Sequence, residues 1–358
     1  MNLAEHMEQR NQKLIKTLMK RVERDCPDAV DMIGICGSFC NGDFHERSDL
    51  DLMILINDPK AYKIAECFVI GEVGFDFYCT NWENLEKDAE CGTAHMAKLM
   101  DTKIVYSRTP EVLNRYMELR VKAKTILDAP FSSDVLSRAE AEYVNAENAF
   151  SRLMRAPDDL FICRVAAVEI LYYVENAVCI LNKTYYKLGV KRIFEEFSRM
   201  ERVPEDFEKL IIELTKAKDA KSIKEKATAL MRATDTVFEK VKAIVAEPKE
   251  KPSKENIGGT LEEMISNFRG KMWKAIELGD THASISALGS LQSFFDDLAS
   301  GLDMPRYDAL SDFDPDDLEK SANAYEKAIE EYSVEYKKAG MELNYFDSVD
   351  QFAEHYLK

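Results

Sequence analysis

The chain has 358 residues, 46% hydrophobic and 32% charged, with a formal net charge of −17. That length exceeds one simple core and predicts two or three folding units, while the acidic balance argues against a long polyanion as partner, because counterion release from a basic face supplies much of the affinity for DNA or tRNA. No run approaches the roughly 18 to 20 apolar residues of a membrane span, and the polar start "MNLAEHMEQRNQKLIK" has no signal-peptide core, so no membrane partner and a cytoplasmic location are expected. Eight cysteines at irregular spacings, without any Cys-x-x-Cys, read as reduced buried thiols, and Cys36 and Cys40 lack the His or Cys neighbours of a metal site.

Residues 1–108 mix helix and strand. An amphipathic helix over about 3–25 precedes β-like runs at "DMIGICG", "DLDLMILI", "GFDFYCT" and "KIVYS". From 109 to 247 the pattern is helical. "PEVLNRYMELRVKAKTIL" opens on a proline suited to a first turn, and "SSDVLSRAEAEYVNAENAFSRLMRA" follows a Ser/Asp start. "LFICRVAAVEILYYVENAVCILNKTYY" is apolar on most faces, which predicts a central bundle helix ending near 187–191. The stretch "AEPKEKPSKENIGG", 246–259, has the prolines, glycines and charge of a linker. Beyond it, helical patterns at about 260–279, 282–300, 315–339 and 347–357 form an acidic zone with a net charge near −12 over 250–358. The fold class expected is α+β: a small mixed-sheet domain at 1–108, a helical domain at 109–247, and an acidic C-terminal helical bundle at 248–358 with no chemistry assigned.

The stretch "GICGSFCNGDFHERSDLDLMILI", 34–56, puts two carboxylates into an otherwise apolar run. On a strand, residues two apart share a face, so Asp49 and Asp51 project together while Leu50 and Leu52 point to the core. Such a pair repels itself unless a cation or water intervenes, and magnesium, a hard ion that prefers oxygen, is the natural counter-charge. Upstream, Gly37 lets backbone approach an anion and Ser38 offers a hydroxyl and an N–H. Phosphate beside Gly-Ser and metal on Asp-x-Asp together describe a nucleoside-triphosphate site. Asp76 stands between Phe75 and Phe77, where alternation would bury an apolar residue.

Gly37-Ser38, Gly42 and Ser48-Asp49-Leu50-Asp51-Leu52 resemble the spaced Gly-Ser, Gly and Ser-Asp-x-Asp signature of the polymerase-β-like nucleotidyltransferase superfamily, most nearly the antibiotic nucleotidyltransferases of the kanamycin type. The resemblance spans roughly residues 20–245. It implies an enzyme of the EC 2.7.7 type that moves a nucleoside monophosphate from a triphosphate donor, ATP in the first instance, to a hydroxyl of a small acceptor, aminoglycoside-like or otherwise, releasing pyrophosphate. It implies two Mg2+ ions on Asp49, Asp51 and Asp76, with Gly37, Ser38, Gly42 and Ser48 at the nucleotide. It also implies a base, either Asp76 or a carboxylate of the helical domain, for which "AEAEYVNAENAF" offers Glu142 ahead of Glu147, and a possible homodimer. Lys191 and Arg192 are candidate phosphate cations, though a helix-end role is the plainer reading. His45 reads as a surface-loop histidine, and Trp82, a candidate stacking residue, more simply packs on the sheet edge. Two alternatives stay open: nucleotidylation of a protein hydroxyl, with the acidic bundle as docking module, and a non-catalytic nucleotide sensor or scaffold.

Overall fold

The structure, a computed structural model, describes residues 3–189 and 192–358, so Lys191 lies outside the described residues. The chain divides into two compact units, Met1–Ala246 and Glu247–Lys358. Among the described residues no helix is long and apolar enough to cross a membrane. All eight cysteines are free thiols, six of them buried.

The first unit opens with α1 (Leu3–Asp25), then β1 (Val30–Ile35), the short α2 (Ser38–Asn41), β2 (Leu52–Ile56), β3 (Glu66–Ile70), β4 (Val73–Phe77), β5 (Cys79–Asn81), α3 (Trp82–Ala89), α4 (Ala97–Met100) and β6 (Lys103–Ser107). Four strands make a mixed sheet in the order β5-β2-β1-β6: β1 is antiparallel to both neighbours, and β2 is parallel to β5. Strands β3 and β4 form a separate antiparallel hairpin. Both central strands are buried throughout, which is why β2 reads as the unbroken apolar run "LMILI". One face, with Ile33 and Ile54, packs on Leu18 and Val22 of α1. The other, with Met32, Met53 and Leu55, packs on Trp82, Leu99 and Tyr116, the last from α5 (Pro110–Asp128). Each large side chain so buried contributes about 1.5–3 kcal/mol.

One charge sits inside this core. Asp31 of β1 is buried, and it accepts hydrogen bonds from Trp82 Nε1 (2.7 Å), Asn57 Nδ2 (2.5 Å) and Arg108 Nε (2.9 Å). Burial alone would raise its pKa; the three donors outweigh burial and hold it low. Trp82 is therefore a core residue on the sheet, with Arg115 4.0 Å over its ring.

The rest of the unit is helical: α6 (Ser133–Arg155), α7 (Leu160–Leu181), α8 (Ile193–Phe197), α9 (Phe207–Thr215) and α10 (Ala220–Val245). Helices α6 and α7 approach closely because small residues meet there, Ala139, Ala146 and Ala149 on one and Ala166, Ala167 and Ala177 on the other. The long apolar helix ends at Leu181, earlier than the expected 187–191. Asn182 stops it: its side-chain amide donates to the carbonyls of Val178 and Arg202, its carbonyl accepts from Glu201 and Arg202, and Lys183 follows at φ 52°. The chain from 183 to 189 is then free to fold toward the sheet. Buried Glu196 fixes it by accepting the Lys187 and Leu188 N–H groups, each at 2.6 Å.

The second unit is all helix. After α11 (Lys254–Ile257), α12 (Thr260–Met264) continues through a π-helical turn, Ile265–Arg269, into α13 (Gly270–Leu278), followed by α14 (Thr281–Gly301), α15 (Leu318–Lys338) and α16 (Val349–Tyr356). Its core is aromatic, with Phe295, Tyr307 and Tyr332 in mutual ring contact. The small mixed sheet followed by helices is the α+β architecture expected.

Candidate active site

The loop after β1 is shaped by one glycine. Gly37 adopts φ 69° and ψ −153°, and a Cβ there would lie 1.8 Å from Asp51 Oδ2, so only glycine fits. Ser38 then starts α2, and Gly42 ends it at φ 74° with its N–H on the Ser38 carbonyl. Ser48 is buried in the following turn, where its hydroxyl accepts the His45 N–H at 2.9 Å and its carbonyl accepts Arg10 Nη2 at 2.8 Å. Ser48 thus shapes the turn that delivers Asp49. His45 is exposed.

The two carboxylates stand just before the strand, since β2 begins at Leu52, but the backbone pairing extends to them through Cys36 N–H on the Asp51 carbonyl at 3.0 Å. The alternation expected of extended chain holds: Leu50 and Leu52 are buried, Asp49 is half-buried and Asp51 is open to solvent. Asp51 lies over Gly37 and accepts the Ser38 backbone N–H. Its pKa is raised, first by the protein packed around it and then by the charge on Asp49; the Ser38 amide and Lys98 pull the other way without cancelling this. Water reaches the carboxylate, yet protein fills much of the wider volume over which a charge is solvated, so exposure and a raised pKa coexist. Asp49 has a cation of its own in Arg10 of α1, a residue whose part in the corner gave no local signal in the sequence.

Asp76 lies on β4, exposed, where its Oδ1 accepts the Cys67 thiol at 3.4 Å. Among the described residues no three His, Cys, Asp or Glu side chains gather as a metal-holding group, so the structure does not bring Asp49, Asp51 and Asp76 together as a three-ligand cluster.

Beside Asp51 opens a cleft of about 650 Å³ whose lining includes Gly37, Asp51, His95, Lys98, Tyr172 and Glu175. A smaller lobe of about 310 Å³ continues past Ser38, Asp43, Asp101 and Lys187. Helix α7 supplies the far wall. Glu175 faces the cleft, and burial pushes its carboxyl up to about 7. Glu142 of α6 does not line the cleft: its Oε1 accepts Asn176 Nδ2 at 2.9 Å, and Asn176 in turn bonds His95. Glu147 is exposed. Arg192 bridges to Asp43 at 2.9 Å and to Glu195, tying the loop after α2 to α8. Tyr186 lines both lobes, with its hydroxyl oxygen buried and without a hydrogen-bond partner among the described residues.

Residues 15–133 match the family model described as a nucleotidyltransferase domain. That stretch is similar to a nucleotidyltransferase domain. Its enzyme class is nucleotidyl transfer, and enzymes of the family use a nucleoside triphosphate with a divalent metal ion. A nucleotidyltransferase-like protein from Exiguobacterium sibiricum 255-15 is similar at 12% identity over 81% of this chain and 91% of its own, with a TM-score of 0.33. No curated protein matches the sequence.

The matched residues contain the whole Gly37–Asp51 corner, whereas Glu175, Asn176 and Tyr186 lie beyond them. Glu175, Lys98 and His95 are the cleft residues that sequence reasoning missed. The one signal for Glu175 was a lone acid in the apolar "ILYYVENAVC" run, a place where burial without a partner costs free energy.

Proposed function

We propose that this protein transfers a nucleoside monophosphate, from ATP in the first instance, to a hydroxyl of a small molecule and releases pyrophosphate. The observation that carries the reading is the Asp51 carboxylate clamped over Gly37, fixed by the Ser38 amide and raised in pKa beside Asp49 at the mouth of a cleft. Two neighbouring carboxylates suit one hard divalent ion, because magnesium typically takes one or two carboxylates and completes its shell from phosphate and water oxygens. Bound by Asp49 and Asp51, it would polarise the reacting phosphate and offset the charge that builds there. Asp76 is not required for this.

The chain's own groups supply the rest. Ser38 and the Gly37 backbone meet the terminal phosphates, with Lys187 lining the same lobe. Glu175, whose carboxyl titrates near neutrality, takes the acceptor's proton as its oxygen bonds to the α-phosphorus and the bond to pyrophosphate breaks. Glu142 holds Asn176, and through it His95, in place. Calorimetric titration of the full-length protein with ATP, GTP, CTP and UTP tests the donor half. Binding is expected only with Mg2+ and at least tenfold weaker in Asp51→Asn; no triphosphate binding under either condition overturns the proposal.

A further inference from the structure

Building on that reading, we infer that the acceptor carries its reacting hydroxyl on a planar or apolar body seated against the Val168, Leu171 and Tyr172 face of α7, and is not a polycationic amino sugar. The two lobes of the cleft meet at Gly37, Asp51, Ala97, Tyr186 and Gly189. The smaller lobe holds Ser38 and Lys187, which leaves the larger one, of a size that suits a drug-sized ligand, for the acceptor.

Its far wall is set by helical spacing. Val168, Leu171, Tyr172 and Glu175 recur at intervals that place them on one side of α7, so an apolar strip ends in the proposed base. Val168 is 65% exposed and Tyr172 48% exposed, so apolar surface faces water inside a concave site, and a ligand that covered it would gain from the burial. The His95 ring stacks on Tyr172, 5.7 Å between centroids and 13° between planes, which sets the angle at which the tyrosine stands in the wall.

Charge points the same way. A polyamine is held by several ionised carboxylates, but the carboxylates lining this lobe are Asp51 and Glu175, with Lys98 and His95 among them. Nearby acids are already engaged, Glu142 with Asn176 and Asp43 with Arg192.

The test is calorimetry on the full-length protein with 4-nitrophenyl β-glucoside, glucose and kanamycin A, each with and without saturating MgATP. The aryl glucoside is expected to bind at least tenfold more tightly than the other two, MgATP not to displace it, and Tyr172→Ala or Val168→Glu to weaken it about tenfold without changing MgATP affinity. Both positions are exposed, so the variants should keep the wild-type thermal melt, which circular dichroism checks. Tighter binding of kanamycin A, no measurable aryl glucoside binding, no effect of either variant, or competition by MgATP, which would put the donor's base on this wall, each overturns the inference. Loss of MgATP binding alone would sink the transfer reading and leave the aryl glucoside result readable.

Discussion

The two sides of the cleft are built in opposite ways. The phosphate corner comes from one stretch, 36–51, in which a positive-φ glycine, a four-residue helix and an extended pair of acids fix each other through backbone. The α7 wall draws on 95–98, on 168–176 and on Tyr186, Gly189 and Ile193, brought together by helix packing and by the Glu196 clamp on the returning loop. A corner of the first kind tolerates almost no change, because every group depends on one backbone path. A wall of the second kind presents side chains from independent supports, and single substitutions there should alter what binds more than whether the site forms.

Gly37→Ala is the sharpest way to break that contrast. The new methyl would fall within bonding distance of Asp51 Oδ2 while the residue kept a φ that disfavours L side chains, so either the carboxylate or the loop must move. A loss of about a thousandfold in kcat/KM is expected, comparable to removing the Asp51 charge, with the protein still folded by circular dichroism. Steady-state pyrophosphate release measures it. An Ala variant within tenfold of wild type would show that the corner yields as readily as the wall.

This difference also explains what could be read in advance. The local geometry at Asp49, Asp51, Gly37 and Ser38 was legible because alternation assigns the faces and a Gly-Ser turn needs no distant partner. The α+β layout was legible for the same reason, down to "KIVYS" as β6 and the proline opening of α5. The wall was not. Whether Glu142 or Glu175 reaches the cleft depends on how α6 and α7 rotate against each other, and a shift of one residue is about 100° on a helix. The early stop of α7 at Asn182 likewise rests on carbonyls and amides twenty residues away, at Glu201 and Arg202.

Glu175→Gln sharpens the comparison from the wall side. Burial raises this carboxyl to about 7 from 4.5, and Cys36, Asp51, His95, Lys98, Tyr172 and Tyr186 are the other titratable groups that line the same lobe. A base works when deprotonated, so wild-type kcat/KM should rise as pH passes from 6 to 8. In the Gln variant it should be flat across that window and about a hundredfold lower at pH 8. His95 does not mimic this rise, because burial keeps its pKa below 6.5 and it stays neutral over the upper part of the window. Stability carries the opposite sign: the folded state favours the protonated acid, so this group costs stability progressively between pH 4.5 and 7, and Gln removes the decline, with a gain of about 1–2 kcal/mol at pH 8 by thermal melts. A variant that keeps the pH profile would move the base elsewhere on the wall.

Asp76→Asn should have the smallest effect, and it tests whether the corner is self-sufficient. The side chain is exposed on the hairpin, its contact is the Cys67 thiol across the β3–β4 pair, and it is not gathered with Asp49 and Asp51 as a metal-holding group. Two carboxylates with phosphate oxygens already satisfy one magnesium ion, so kcat/KM should fall by no more than about threefold at saturating Mg2+. The Mg2+ dependence separates the alternatives. If the hairpin supplies a third ligand when nucleotide is bound, the Asn variant would need far more Mg2+ for half-maximal rate and would approach the loss seen with Asp51→Asn. The active corner would then extend past the 36–51 stretch, and the hairpin would have to be counted as a moving part of it.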